Sequence, residues 1–141
     1  MKIRNIQLKS IEARRYINSN ERPKKVRIDH NSSVSQISDK NDNLAIIDFN
    51  YTSSYGPIGM IKLEGSLYYE NNDANKITKE WQNSRKMPNE LASRIHTAIM
   101  HACVPLAVGI AKDLGLPPPI PLPQVKIGDN PKKGQAGPEV A

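Results

Sequence analysis

The clearest hydrophobic rhythm in the chain runs from Leu44 to Thr52, where Ala45, Ile47, Phe49 and Tyr51 alternate with Leu44, Ile46, Asp48 and Asn50. A period of two puts one set on each side of a strand, and the more apolar set marks the buried side. Ile58 to Tyr69 repeats the pattern through Ile61, Leu63, Leu67 and Tyr69, but Gly59 and Gly65 fall on that same side. Glycine inside a strand predicts close approach by another group. Residues 3–16 carry Ile3, Ile6, Leu8 and Ile11; Ile6 and Leu8 alternate while Ile3 and Ile11 fall out of phase, so a bulge or bend is expected. Between 24 and 37, Val26, Ile28, His30, Ser32, Val34 and Gln36 share one face of a strand, and the polar run Ser38–Asn43 reads as the following turn. Four successive strands with short connections predict an antiparallel sheet with one buried face.

After Asn71-Asn72-Asp73 the period changes. A short helix is predicted over about 75–85, with Ile77 and Trp81 one turn apart. Met87-Pro88 opens the main helix, with proline at a favourable first position and Glu90 in the first turn. Its expected core stripe is Leu91, Ile95, Ile99, Cys103, Leu106, Ile110 and Leu114. Ala98, Met100, Ala102, Val104, Ala107, Val108 and Ala111 make its centre apolar nearly all round, which predicts cover on more than one side, by the sheet and by another subunit. Pro105 is expected to kink it, and Gly115-Leu116-Pro117 to stop it. Residues 116–123, LPPPIPLP, read as extended polyproline-II-like chain. They suit a PxxP ligand (Pro118 to Pro121), or packing of the interspersed leucine and isoleucine on the body, which is the favoured use. With Val125 and Ile127 closing the fold, one α+β domain is expected over residues 1–127, and 128–141 as a flexible polar tail. A chain of 141 residues is long enough for one core without metal or disulfide staples.

Charge sharpens the picture. The formal net charge is +6, yet residues 1–27 alone carry nine basic and two acidic side chains, a surplus of +7. Segregated positive charge suits a polyanion, because each neutralised phosphate releases counterions. On that reading Lys9, Arg14, Arg15, Arg22, Lys24, Lys25 and Arg27, with Lys132 and Lys133 of the tail, are the candidate RNA-binding residues. Tyr16 and Tyr55 are candidates to stack on unpaired bases.

Candidate chemistry is sparse, and no enzyme is expected. Cys103 is the only cysteine, in an apolar run, and reads as a buried hydrophobe. His96 and His101 stand five apart, about 140° round a helix, which does not suit joint metal ligation. Phosphate loops, nucleophile elbows and zinc-protease signatures are missing from the text, so no cofactor or metal is expected. Asp48 and Glu64, with Lys62 beside them, read as surface ion pairs. The start lacks an apolar signal core, and no window approaches the roughly 20 apolar residues of a span, so the chain is expected to be cytoplasmic.

The order of elements carries a resemblance. IQLKSIEARRY at the start, LAIIDFNYTSSYGPIGMIKLEGSLYY in the middle and VPLAVGIAKDLGLPPPIPLPQVKI near the end together resemble the SecB family of export chaperones over about residues 3–127. The resemblance implies a four-stranded antiparallel sheet packed on a long helix, assembly into dimers or tetramers, and apolar grooves that hold unfolded chains. The chain departs from that family in three ways: the final helix is replaced by the polar tail, aromatic residues are only 5%, and the net charge is basic. Three functions follow as expectations. The first is a ribosome-associated or other ribonucleoprotein component that contacts RNA and neighbouring proteins. The second is a SecB-like holdase for unfolded polypeptides, with Ile58, Met60, Tyr68, Trp81 and Met100 bordering its groove. The third is an adaptor that uses its proline-rich segment.

Overall fold

The computed structural model describes residues 1–18 and 26–120. Four strands form one sheet: β1 (Lys2–Arg15), β2 (Asp29–Asn41), β3 (Leu44–Ser54) and β4 (Gly59–Glu70), in the order β1-β4-β3-β2 and antiparallel throughout. Helices α1 (Ala74–Ser84) and α2 (Asn89–Asp113) follow. The strands that are consecutive at the start of the chain thus occupy opposite edges of the sheet.

The β3–β4 pairing is regular from Leu44 opposite Glu70 to Ser54 opposite Met60. It puts Ala45, Ile47, Phe49 and Tyr51 beside Ile61, Leu63, Leu67 and Tyr69 on one buried face. Burying each of the larger aliphatic and aromatic side chains stabilises the fold by roughly 1.5–3 kcal/mol. The two outer pairings are irregular. β1 shifts register between Arg4 and Gln7 and again between Leu8 and Ser10, and Asn5 adopts a left-handed φ of 58°. These shifts are the bulges announced by the out-of-phase isoleucines, and they return Ile3, Leu8 and Ile11 to one side of the sheet. β2 shifts between Val34 and Gln36, so Ile37 rather than Gln36 enters the core.

The turn expected over 38–43 is tighter than predicted. Ser38, Asp39 and Asn41 pair with β3, which leaves Asp42-Asn43 as the reversal, and the Asn43 N–H donates to Asn41 Oδ1 at 3.0 Å. Polar residues pair here because β2 is an edge strand whose side chains meet solvent.

α1 buries Ile77 and Trp81 as their spacing requires. α2 starts one residue later than expected: Pro88 is the capping residue, with extended backbone, and Asn89 the first helical position. The buried stripe of α2 is Leu91, Ile95, Ile99, Cys103, Ala107 and Ala111, four apart at every step. The expected stripe switches to Leu106, Ile110 and Leu114 instead; Leu106 is 37% exposed. Two alanines in the last turns let the helix stay close to the twisted sheet; Leu106 turns outward, while Ile110 and Leu114 are half-buried against the core. The helix continues through Pro105, which is exposed.

The C-terminus of α2 ends as Gly115 predicts. Gly115 has φ 66°, the Leu116 N–H donates to the Ala111 carbonyl at 2.8 Å and the Gly115 N–H to that of Lys112 at 3.2 Å. This is the paired bond pattern of a Schellman cap, with Leu116 buried behind it. α2 is long and apolar enough to cross a membrane by length and composition. In this fold its stripe packs on the sheet of the same chain.

Candidate functional site

The helix side of β1 carries apolar residues that are incompletely covered. Ile3, Leu8, Ile11 and Ala13 pair with Tyr69, Gly65, Leu63 and Ile61 of β4, so they share the side on which α2 lies. Ile3, Leu8 and Ala13 are half-buried against the core, whereas Ile11 is 56% exposed. α2 runs alongside in the same direction. Near its start Ser93, Arg94, Thr97, Ala98 and His101 form a cleft of about 390 Å³ with Met1 and Ile3. Beyond the far end, Arg15 of β1 reaches the Leu114 carbonyl. Ile11 and Leu106 lie between these fixed ends. The result is an apolar trough between a helix flank and the outer edge of β1, which pairs with no other strand among the described residues, with Arg94 and His101 at one end. A second cleft of about 230 Å³, lined in part by Met1, Ile77, Pro88 and Leu91, continues it toward α1. A larger hollow of about 600 Å³ at the β2–β3 hairpin end is lined mainly by amide and charged side chains, including Asn41, Asn43, Glu70 and Asn71.

The five residues expected to border a groove do not meet on one surface. Ile58 and Trp81 are buried core residues, and Met100 is half-buried against that core. Met60 and Tyr68 point to the opposite side of the sheet, since they alternate with Ile61 and Tyr69. Tyr68 there accepts from Lys40 at 3.0 Å, with Arg4 over its ring at 5.5 Å, and the neighbouring cation lowers its pKa. Composition named the apolar residues; only the pleat and the strand order decide which of them share a face.

The basic set is likewise dispersed. Lys9 pairs with Asp48 at 3.3 Å, Arg27 with Asp29 at 3.2 Å, and Arg4 with Glu70 at 2.9 Å. Lys62 pairs with Glu64 at 3.1 Å, so the carboxylates of Asp48 and Glu64 are surface ion pairs as expected. Arg15 has a structural task. Its Nη1 donates to the carbonyls of Leu114 and Gly115 at 3.1 and 2.7 Å, Nε to that of Ile17 at 3.3 Å, and Nη2 to that of Asn18 at 3.3 Å. It ties the end of β1 to the end of α2. Arg14 is exposed, with no ion pair among the described residues. Arg22, Lys24, Lys25, Lys132 and Lys133 lie outside the described residues, as do Val125, Ile127 and the 128–141 tail. Tyr16 is exposed, but Tyr55 is buried and donates its hydroxyl to the Pro117 carbonyl at 2.7 Å, which removes it as a base-stacking platform.

Two of the three histidines serve the packing. His30 Nδ1 lies 2.8 Å from the Tyr51 hydroxyl, its Nε2 meets the Pro119 carbonyl, and His96 Nδ1 lies 2.6 Å from Ser32 Oγ. Among the described residues no three His, Cys, Asp or Glu side chains cluster to hold a metal ion. Burial pushes the Cys103 thiol up to about 11 and the Tyr51 phenol to about 12. A thiol in that state is a poor nucleophile.

No family model matches the chain, and no curated protein matches it in sequence. Its architecture is a SecB-like fold: a four-stranded antiparallel sheet carrying a long C-terminal helix. Among solved structures it is similar to the Mycobacterium tuberculosis Rv1957 SecB-like chaperone in complex with a ChAD peptide from the Rv1956 HigA1 antitoxin. The TM-score is 0.57 at 12% identity, over 89% of each chain.

Proposed function

We propose that the protein is a non-catalytic holdase that binds extended apolar segments of polypeptide along the trough between β1 and α2. The observation that carries this reading is the line of incompletely covered apolar residues, Ile3, Leu8, Ile11 and Leu106, beside the outer edge of β1, unpaired among the described residues. Such an edge offers backbone hydrogen bonds to any extended chain, and the apolar side chains beside it offer burial. A fold shared with a chaperone solved with a bound peptide supports the reading. The RNA reading has less support, because Lys9 and Arg27 are paired and Arg15 is engaged with backbone.

The test is suppression of aggregation of an unfolded client by the wild type and by Ile11→Asp and Leu106→Asp. Both positions are partly exposed, so each substitution should cost about 1 kcal/mol and leave the protein folded. Protection of the client should fall several-fold. Full protection by both folded variants would refute the trough as the holding site. Sedimentation velocity on the same samples identifies the other occupant of such a face: if the variants only lose self-association, the trough is a subunit interface. Charge reversal at Arg14, Lys24 and Lys25 should leave client holding intact, and co-sedimentation with ribosomal subunits that this reversal and added salt both abolish would instead restore the RNA reading.

A further inference from the structure

Past α2 the chain continues as Leu116-Pro117-Pro118-Pro119-Ile120, and its seat on the body has the chemistry of a peptide site. Two donors from separate strand ends reach its backbone, and a third holds the end of α2 just before it. Arg15 Nη1, at the end of β1, holds the Leu114 and Gly115 carbonyls. The Tyr55 hydroxyl, just past β3, donates to Pro117 O at 2.7 Å. His30, at the start of β2, meets Pro119 O through Nε2. A carbonyl only accepts, so Nε2 carries the proton and Nδ1 accepts from Tyr51. Every one of these bonds goes to main-chain oxygen, so the seat reads extended backbone and leaves the side chains to shape alone.

Two of those side chains point inward. Leu116 and Pro119 are buried, while Pro117 and Ile120 are exposed. Leu116 packs where Gly59 has no side chain: a Cβ there would stand 3.2 Å from Leu116 Cδ1. A spacing of three matches the three residues per turn of polyproline-II, and consecutive prolines fix φ near −65° to favour it. Ser53 is fully buried close to the Tyr51 and Tyr55 phenols, and its hydroxyl opposes the effect of their burial.

We propose that this seat is a binding groove for extended proline-bearing peptides with an apolar residue three places before a proline, and that Leu116–Ile120 fills it in cis. Aromatic hydroxyls donating to carbonyls, with a pocket for a proline ring, are the general means by which such peptides are held. The groove is separate from the β1–α2 trough and stands independently of the holdase reading. A tethered segment acts at an effective concentration of order millimolar, so a free peptide competes at millimolar concentration, or well below it once the tethered one is weakened.

The experiment uses the full chain with Pro118→Gly and Pro119→Gly, and a fluorescent peptide of sequence Leu-Gly-Leu-Pro-Pro-Pro-Ile-Pro followed by anisotropy. The variant should bind at least tenfold more tightly than the wild type. Adding Tyr55→Phe should remove most of that gain, and Ile11→Asp should leave it unchanged. A folded variant that binds no better than the wild type, or whose binding ignores Tyr55→Phe, overturns the proposal. If the glycine variant does not fold, the segment is core and not a displaceable ligand, and the proposal falls on that result too. In the wild type, millimolar peptide should shift the His30 and Tyr55 ring resonances, and rings that stay unshifted would count equally against it.

Discussion

Replacing Gly65 by alanine should bring a packing penalty of about 1–3 kcal/mol, the range for forcing extra volume into a packed site. A Cβ at Gly65 would collide with the Gln7 carbonyl and stand 2.9 Å from Phe49 Cζ. The Phe49 ring is fully buried and Gln7 O belongs to the bulged backbone of β1, so neither can swing away as a flexible side-chain end would. The relief available is to lift β1 from β4, which gives up part of the burial of Leu8 directly opposite. Alanine also narrows the unfolded ensemble, an opposing gain of about 0.4–1 kcal/mol, so the net effect stays destabilising. Gly109 provides the control. It lies in α2 with nothing within 4 Å of its would-be Cβ, and alanine there should stabilise by about 1 kcal/mol through helix propensity. Urea unfolding of the three proteins measures both shifts. A Gly65→Ala midpoint at or above the wild type would refute the account of β1 as backbone pressed against that glycine.

Arg15→Met keeps the aliphatic stem and removes the donors to the four carbonyls; with partial hydration of those oxygens the loss should be about 1–3 kcal/mol in urea unfolding, and an unchanged midpoint would show the clamp to be idle. Alkali should destabilise the fold. Burial holds the Cys103 proton to about 11 and burial also holds Tyr51 and Tyr69 to about 12, while the unfolded thiol ionises near 8.5. The unfolded state therefore loses protons first, so stability is level below about pH 8.5 and falls as pH rises through 11, by at most about 1.4 kcal/mol per pH unit for each such group. Melting curves from pH 7 to 11 check this, and Cys103→Ala should flatten the first part of the decline. The same thiol should react with a soluble disulfide reagent only at the rate of unfolding.

The strands and helices were legible because their signals are local. Alternation marked β3 and β4, phase breaks among Ile3, Ile6, Leu8 and Ile11 marked the bulges of β1, and Gly59 and Gly65 marked the two places where other groups press on β4. Gly115 marked the end of α2. What stayed hidden depends on distant partners. Arg15 reads as one more cation in a basic run until β1 is laid beside Gly115, 100 residues later in the chain. Tyr55 reads as a loop aromatic until Pro117 arrives over it. The stripe of α2 was missed in its last turns because helical spacing allows steps of three or four equally, and the twist of the sheet chooses four. The trough was not read from sequence, since Ile11 looks like any strand isoleucine until the strand order leaves it at an edge.

That strand order also sets the sequence of assembly. β2, β3 and β4 form a meander whose neighbours are joined by short turns, so their loops close at little entropic cost. β1 must instead find β4 across most of the domain, with Arg4 meeting Glu70 at a separation of 66 residues. It brings no fully buried side chain to the contact. Non-local pairing and thin burial predict that β1 docks last and exchanges its amide hydrogens first, an order that hydrogen exchange would check. When it lifts away, β4 becomes the rim of the sheet, and its unpaired backbone stands ready for whichever extended chain arrives.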